Sequence, residues 1–169
     1  MPLPPRIVVM GVSGCGKSTL AEALSKRLGF SMIEGDALHP AENIAAMQSG
    51  RPLTDEMRGP WLAAIAAAME KALQTGPGAV ASCSALKRSY RDILSQHGPV
   101  AFVHLDLPLA AARHRMADRP GHFMNAALAE SQAATLEPLA PGETGIALDA
   151  MLGPELLTDA AAGWLQQHD

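Results

Sequence analysis

The sequence predicts an α/β fold, a mainly parallel sheet covered by helices on both faces. Three observations carry that expectation. Short apolar runs alternate with longer segments of helical character. The first such run, Ile7–Met10, leads at once into a glycine-rich stretch that opens a helix. A length of 169 residues, 48% apolar and 18% charged, suits one domain (residues 1–169) with a sizeable core.

Taken in order, Ile7–Met10 is the first strand, and Lys17–Leu28 is a helix stopped by Gly29, the residue type best suited to a left-handed helix end. Ser31–Glu34 is the second strand and the weakest by composition. Pro40 suits the first turn of a helix running to about Gln48, with Gly50 beyond it. Thr54-Asp55-Glu56 resembles a helix start, its acids facing the positive dipole end. Pro60 then either kinks that helix or starts another reaching about Leu73. Ala79–Cys83 is the third strand, and Ser84 is the expected cap of a helix running to His97 before Gly98-Pro99. Val100–Leu105 and Gly145–Leu148 are the remaining strands. Leu109–Asp118, Ala126–Leu136 and Glu155–Gln167 complete the helices.

Charge and composition exclude several classes. Thirteen basic against seventeen acidic residues leave a net charge of −4, which argues against nucleic-acid or anionic-membrane partners. Cys15 and Cys83 are too few for a disulfide framework and are not spaced as zinc ligands. The apolar run Trp61–Met69 is about half the ~20 residues of a membrane span. No secretory leader is legible, so a reducing, cytoplasmic setting is expected.

Chemistry enters with Gly11-Val12-Ser13-Gly14-Cys15-Gly16-Lys17-Ser18, which matches GxxxxGK[ST] between a strand and a helix. Glycines permit a tight backbone whose N–H groups converge on phosphate oxygens, and the helix presents its positive end to the same anion. Lys17 is placed to reach β- and γ-phosphates, and the Ser18 hydroxyl to join a magnesium shell; Thr19 follows in the same helix turn. ATP with Mg2+ is the expected cofactor pair. Cys15 reads as a small side chain tolerated in the loop. No NKxD-like guanine reader is present, and the chain has no room for the extra domains of large ATPases.

Further blocks narrow the choice: Glu34-Gly35-Asp36-Ala37-Leu38-His39-Pro40, Pro52-Leu53-Thr54-Asp55-Glu56-Met57-Arg58-Gly59-Pro60-Trp61-Leu62, and Cys83-Ser84-Ala85-Leu86-Lys87 with Tyr90-Arg91-Asp92. Arg115-Met116-Ala117-Asp118-Arg119-Pro120-Gly121-His122-Phe123, Ser131-Gln132 and Thr135-Leu136-Glu137 follow. Together these resemble the bacterial-type gluconokinases, relatives of shikimate kinase and the nucleoside monophosphate kinases, over about residues 7 to 150. The resemblance implies a three-layer α/β/α P-loop kinase fold with strand order 2-3-1-4-5 and a small lid at about residues 115–137. It implies ATP-dependent phosphorylation of D-gluconate on its terminal hydroxyl. Family members are often homodimers. Glu34 stands where Asp is expected and Met57 where an acid is common, while Met124 and Ala133 replace aromatics.

Roles follow for individual side chains. Asp36, just past the second strand at the carboxyl edge of the sheet, is the expected base that orients the acceptor hydroxyl. His39 is placed to hydrogen-bond a substrate hydroxyl, and Glu34 is either a magnesium-shell or a solvated acid. The anionic acceptor that the resemblance implies calls for a cation with a two-pronged donor; Arg58 is the first choice by resemblance to the helix arginine of shikimate kinase-like proteins, with Arg91 and Lys87 one helical turn apart as the second. By resemblance, Arg115 and Arg119 of the lid divide adenine stacking and phosphate neutralisation between them. Gln132 and Glu137 receive no task. Two alternatives stay open: another small acid such as shikimate as acceptor, or a nucleotide-binding regulatory module without transfer.

Overall fold

The computed structural model describes residues 4–117 and 126–167. Five parallel strands form one sheet: β1 (Arg6–Met10), β2 (Ser31–Glu34), β3 (Ala79–Ser82), β4 (Ala101–Asp106) and β5 (Gly145–Asp149), in the order β2-β3-β1-β4-β5. The expected strand order and the expected five strands are both present. β1 lies at the centre, and its residues Ile7–Met10 have no exposed surface, as a strand covered on both faces requires.

Seven helices are described: α1 (Lys17–Leu28), α2 (Ala41–Gln48), α3 (Asp55–Thr75), α4 (Arg88–Leu94), α5 (Leu109–Ala117), α6 (Ala126–Thr135) and α7 (Pro154–Gln167). Gly29 ends α1 in the left-handed region at φ 70°, its N–H donating to the Ser25 carbonyl. Thr54 caps α3 by accepting the Met57 N–H at 3.2 Å, with Asp55 and Glu56 in the first turn. Pro60 neither ends α3 nor starts a new helix. It and Glu56 are exposed, so water can take the carbonyl that the missing proline N–H leaves free.

The start of α4 corrects the sequence reading. The helix begins at Arg88 rather than after Ser84, and it stops at Leu94. Residues 83–87 form an irregular segment instead, in which the Ser84 carbonyl accepts the Gly11 N–H at 3.2 Å and Ala85 adopts a left-handed φ of 47°. The first N–H of α4 is capped from afar, Arg88 donating to Glu137 Oε1 at 3.0 Å. A local cap was expected where a distant one operates.

Two glycines let backbones approach at the sheet's carboxyl edge. A Cβ on Gly11 (φ 145°) would meet the Leu105 carbonyl oxygen at 2.7 Å, and one on Gly35 would meet the Ser82 carbonyl oxygen at 2.0 Å. The first glycine opens the loop after β1, and the second opens the 3-10 turn Gly35–Leu38 after β2. Both loops emerge at the same carboxyl edge on either side of β3, where ligands of open α/β sheets bind.

Candidate active site

The loop between β1 and α1 is built for anions. Gly14 and Gly16 take left-handed φ values of 85° and 97°, and Gly16 caps α1, whose first turn carries no acid. The positive helix end and the loop amides thus face one space. Lys17 folds back so that Nζ donates to the Val12 carbonyl at 3.1 Å. Ser13, Gly14, Gly16, Lys17, Ser18 and Thr19 line a cavity at this edge. Gly11, Val12 and Cys15 do not: Val12 and Cys15 are buried in the core, and Gly11 packs against Leu105. Burial pushes the Cys83 thiol up to about 12, so it stays protonated at neutral pH.

The 3-10 turn after β2 delivers Asp36 and His39 to the same cavity. Asp36 is largely exposed, while the His39 ring is buried and stacks on Trp61, with centroids 4.1 Å apart and planes at 16°. The Trp61 indole N–H in turn donates to the Gly35 carbonyl at 2.8 Å, which ties α3 to the turn carrying Asp36. Burial pushes the His39 pKa down, outweighing the Asp36 carboxylate that pulls it up; the Arg58 charge lowers it further. The ring is neutral at pH 7.

Of the cations expected at the acceptor, Arg58 lines the cavity. Its guanidinium lies over the Tyr90 ring at 5.2 Å, and its Nε is buried without a hydrogen-bond partner among the described residues. Arg51, which stands in none of the motifs, lines the same cavity together with Pro52 and Leu53.

Lys87 and Arg91 do not line this cavity and are held by other partners. Lys87 bonds both oxygens of Asp55, at 3.1 and 3.2 Å, and Tyr90 donates its hydroxyl to the same carboxylate. Arg91 is 1% exposed and is saturated by Glu143 and by the carbonyls of Ala85 and Leu86. It holds the 83–87 segment in shape rather than facing the cavity. Glu34 also turns away from it, accepting the Ser82 hydroxyl at 2.6 Å, while that hydroxyl receives the Gly35 N–H.

Near the end of α5, Arg115 packs on the phosphate loop, donating to the Gly14 carbonyl at 2.8 Å and the Ala150 carbonyl at 3.3 Å. Arg119 and Met124 lie outside the described residues. Gln132 and Glu137 acquire tasks: Gln132 Oε1 accepts the Ser13 N–H at 2.7 Å, and Glu137 joins α4 as described above. Both are long-range bonds, and nothing local in the sequence announces them.

Comparison with known proteins establishes the family. The family model described as an AAA domain matches residues 7–139. The gluconokinase of Gluconobacter oxydans (strain 621H) is 44% identical over 171 residues, covering 100% of this chain and 96% of that protein. The crystal structure of a gluconokinase from Sinorhizobium meliloti 1021 superposes with TM-score 0.86 at 44% identity, covering 99% and 94% of the two chains. A sugar kinase from Janibacter sp. HTCC2649 gives TM-score 0.90 at 49% identity, covering 96% and 95%. With a phosphate loop, a carboxylate and the Arg58 guanidinium around one cavity, and similarity of this extent, the chain belongs to the gluconokinase family of P-loop kinases.

Proposed function

We propose that this protein transfers the γ-phosphoryl group of ATP to the terminal hydroxyl of D-gluconate, giving 6-phospho-D-gluconate and ADP. The observation that carries this reading is that Lys17, Asp36 and Arg58 line a single cavity. Each of the three supplies one requirement of the reaction.

The loop amides and the Lys17 ammonium hold the β- and γ-phosphates and offset charge as it builds on the transferring group. For that, Lys17 exchanges the Val12 carbonyl for phosphate oxygens. Asp36 accepts a hydrogen bond from the acceptor hydroxyl, aims its oxygen at phosphorus, and takes the proton as the new O–P bond forms. Arg58 binds the gluconate carboxylate. Its buried, unpartnered Nε is the kind of donor a two-pronged carboxylate contact would satisfy. Arg51 adds a second positive charge on the same side. Arg115 flanks the loop where the nucleotide base is expected, and Arg119 is proposed to neutralise the transferring phosphate.

The site fits a magnesium ion. The Ser18 hydroxyl, which lines the cavity, is a hard oxygen ligand of the kind Mg2+ takes alongside water and phosphate oxygens. When bound, the ion supplies charge neutralisation of the phosphates. A homodimer acting on small molecules in the cytoplasm completes the reading.

A coupled assay of ADP release with gluconate, shikimate, other sugar acids and no acceptor tests it. Stimulation by gluconate above the other acids is expected. Equal rates with every acid, or with none, would contradict it.

A further inference from the structure

Asn43 lies in α2, outside every motif that pointed to the site, and is 1% exposed. Its amide nitrogen carries two hydrogens and meets two partners, the Met57 carbonyl at 3.0 Å and His39 Nδ1 at 3.2 Å. An amide nitrogen only donates, so Nδ1 must offer its lone pair. In a neutral imidazole the proton then resides on Nε2. A flipped amide would set Oδ1 against the Met57 carbonyl oxygen, two acceptors facing each other. Asn43 Oδ1 has no partner among the described residues, so nothing there favours the flip.

The Nε2 that then carries the proton lies 3.9 Å from Asp36 Oδ1. That is too long for a direct hydrogen bond. One oxygen can stand at ordinary hydrogen-bond length from both atoms, to one side of the line joining them. Such an oxygen must accept from Nε2–H and donate to the carboxylate, which an alcohol does and an ether or a carboxylate does not. The Trp61 ring stacked on His39 fixes the plane in which Nε2 faces this position.

We propose that Asn43 is a positioning residue that locks His39 as the Nε2–H tautomer, making His39 and Asp36 a donor–acceptor couple that selects the acceptor's alcohol group. The assignment of that alcohol as the phosphoryl acceptor rests on the reading above. The tautomer does not.

The test begins with 15N–1H long-range correlation spectra of the unmodified protein at pH 7. His39 Nε2 should resonate as a protonated, pyrrole-type nitrogen and Nδ1 as a pyridine-type one. An Nδ1–H tautomer, or a doubly protonated ring, overturns the proposal whatever the protein catalyses. Asn43→Ala should convert the single tautomer to a mixture, and an unchanged spectrum would also overturn it. In kinetics, the His39→Gln amide can stand in for Nε2–H, whereas that of His39→Asn reaches only the Nδ1 position. The glutamine variant should keep KM for gluconate within about 3-fold, while the asparagine variant raises it about 10-fold, the effect of losing one buried hydrogen bond. Equal losses in both variants count against the couple. Failure of gluconate turnover with the expected spectrum would instead indict the assigned reaction.

Discussion

Arg91 and Glu143 form a buried, two-bond ion pair, Nε to Oε1 at 2.6 Å and NH2 to Oε2 at 3.1 Å, joining α4 to the loop before β5. Burial alone would raise the Glu143 carboxyl. Hydrogen bonds from Arg91 and the Ala140 N–H, with the guanidinium's charge, overcome that and hold it below the usual carboxylate range. A depressed folded pKa contributes stability that is fully present above the ordinary value of 4.5 and is lost as pH falls through the lower, folded value.

Glu143→Gln should therefore destabilise the protein by about 3–5 kcal/mol at pH 7, because it strands a buried guanidinium. Denaturant titrations of both proteins check this. The gap between wild type and variant should narrow as pH drops below about 4.5. A gap that stays constant down to pH 3 would mean that the carboxylate charge is not the stabilising element.

Asp36→Asn keeps the shape of the side chain and removes its capacity to take a proton. Turnover should fall by about 10²-fold or more, with KM for ATP nearly unchanged. Steady-state kinetics with each substrate varied separately is the measurement. Retention of full kcat would remove Asp36 from the chemistry.

Arg58 and Lys87 are both cations beside Tyr90, yet only Arg58 lines the cavity. Arg58→Ala should raise KM for gluconate by about 10–100-fold, the range for a lost charge-assisted hydrogen bond, and affect KM for ATP much less. Lys87→Ala should leave KM for gluconate within about 2-fold, since its partner is the exposed Asp55. If the two variants behave alike, the division of labour between them is wrong.

Gln132 links α6 to the phosphate loop through the Ser13 N–H. Gln132→Ala should raise KM for ATP about 5-fold, the effect of one lost hydrogen bond. Gln132→Glu preserves the acceptor but brings a negative charge beside the phosphates, so it should be the worse variant. A glutamate variant better than the alanine one would show that Gln132 matters only as an acceptor.

Much of this architecture can be read in one dimension. The strand–loop–helix around Lys17 is legible because glycine, lysine and serine are fixed by local backbone and charge requirements. The alternation of apolar runs and helices likewise gives five strands in their observed places. The segment after β3 is different. Ser84 has the chemistry of a helix cap, but its carbonyl is engaged by Gly11 and the first α4 N–H by Glu137, residues far along the chain. Arg91 and Arg58 look equally suited to an anionic acceptor in sequence. What separates them is Glu143, whose proximity to Arg91 exists only once the sheet has formed. Asn43 and Arg51 belong to no motif at all; the Asn43–Met57 hydrogen bond and the cavity that Arg51 lines exist only in the folded chain.

The central claim is phosphoryl transfer from ATP to a gluconate alcohol, with Asp36 as the base. Phosphorus-31 NMR of a reaction containing ATP, Mg2+ and D-gluconate tests it most directly, run with wild type and Asp36→Asn. A phosphomonoester signal coupled to the C6 methylene protons should grow in step with ADP, and at least about 10²-fold more slowly with the variant. Release of inorganic phosphate without a phosphomonoester, or an equal rate from the variant, would contradict the account.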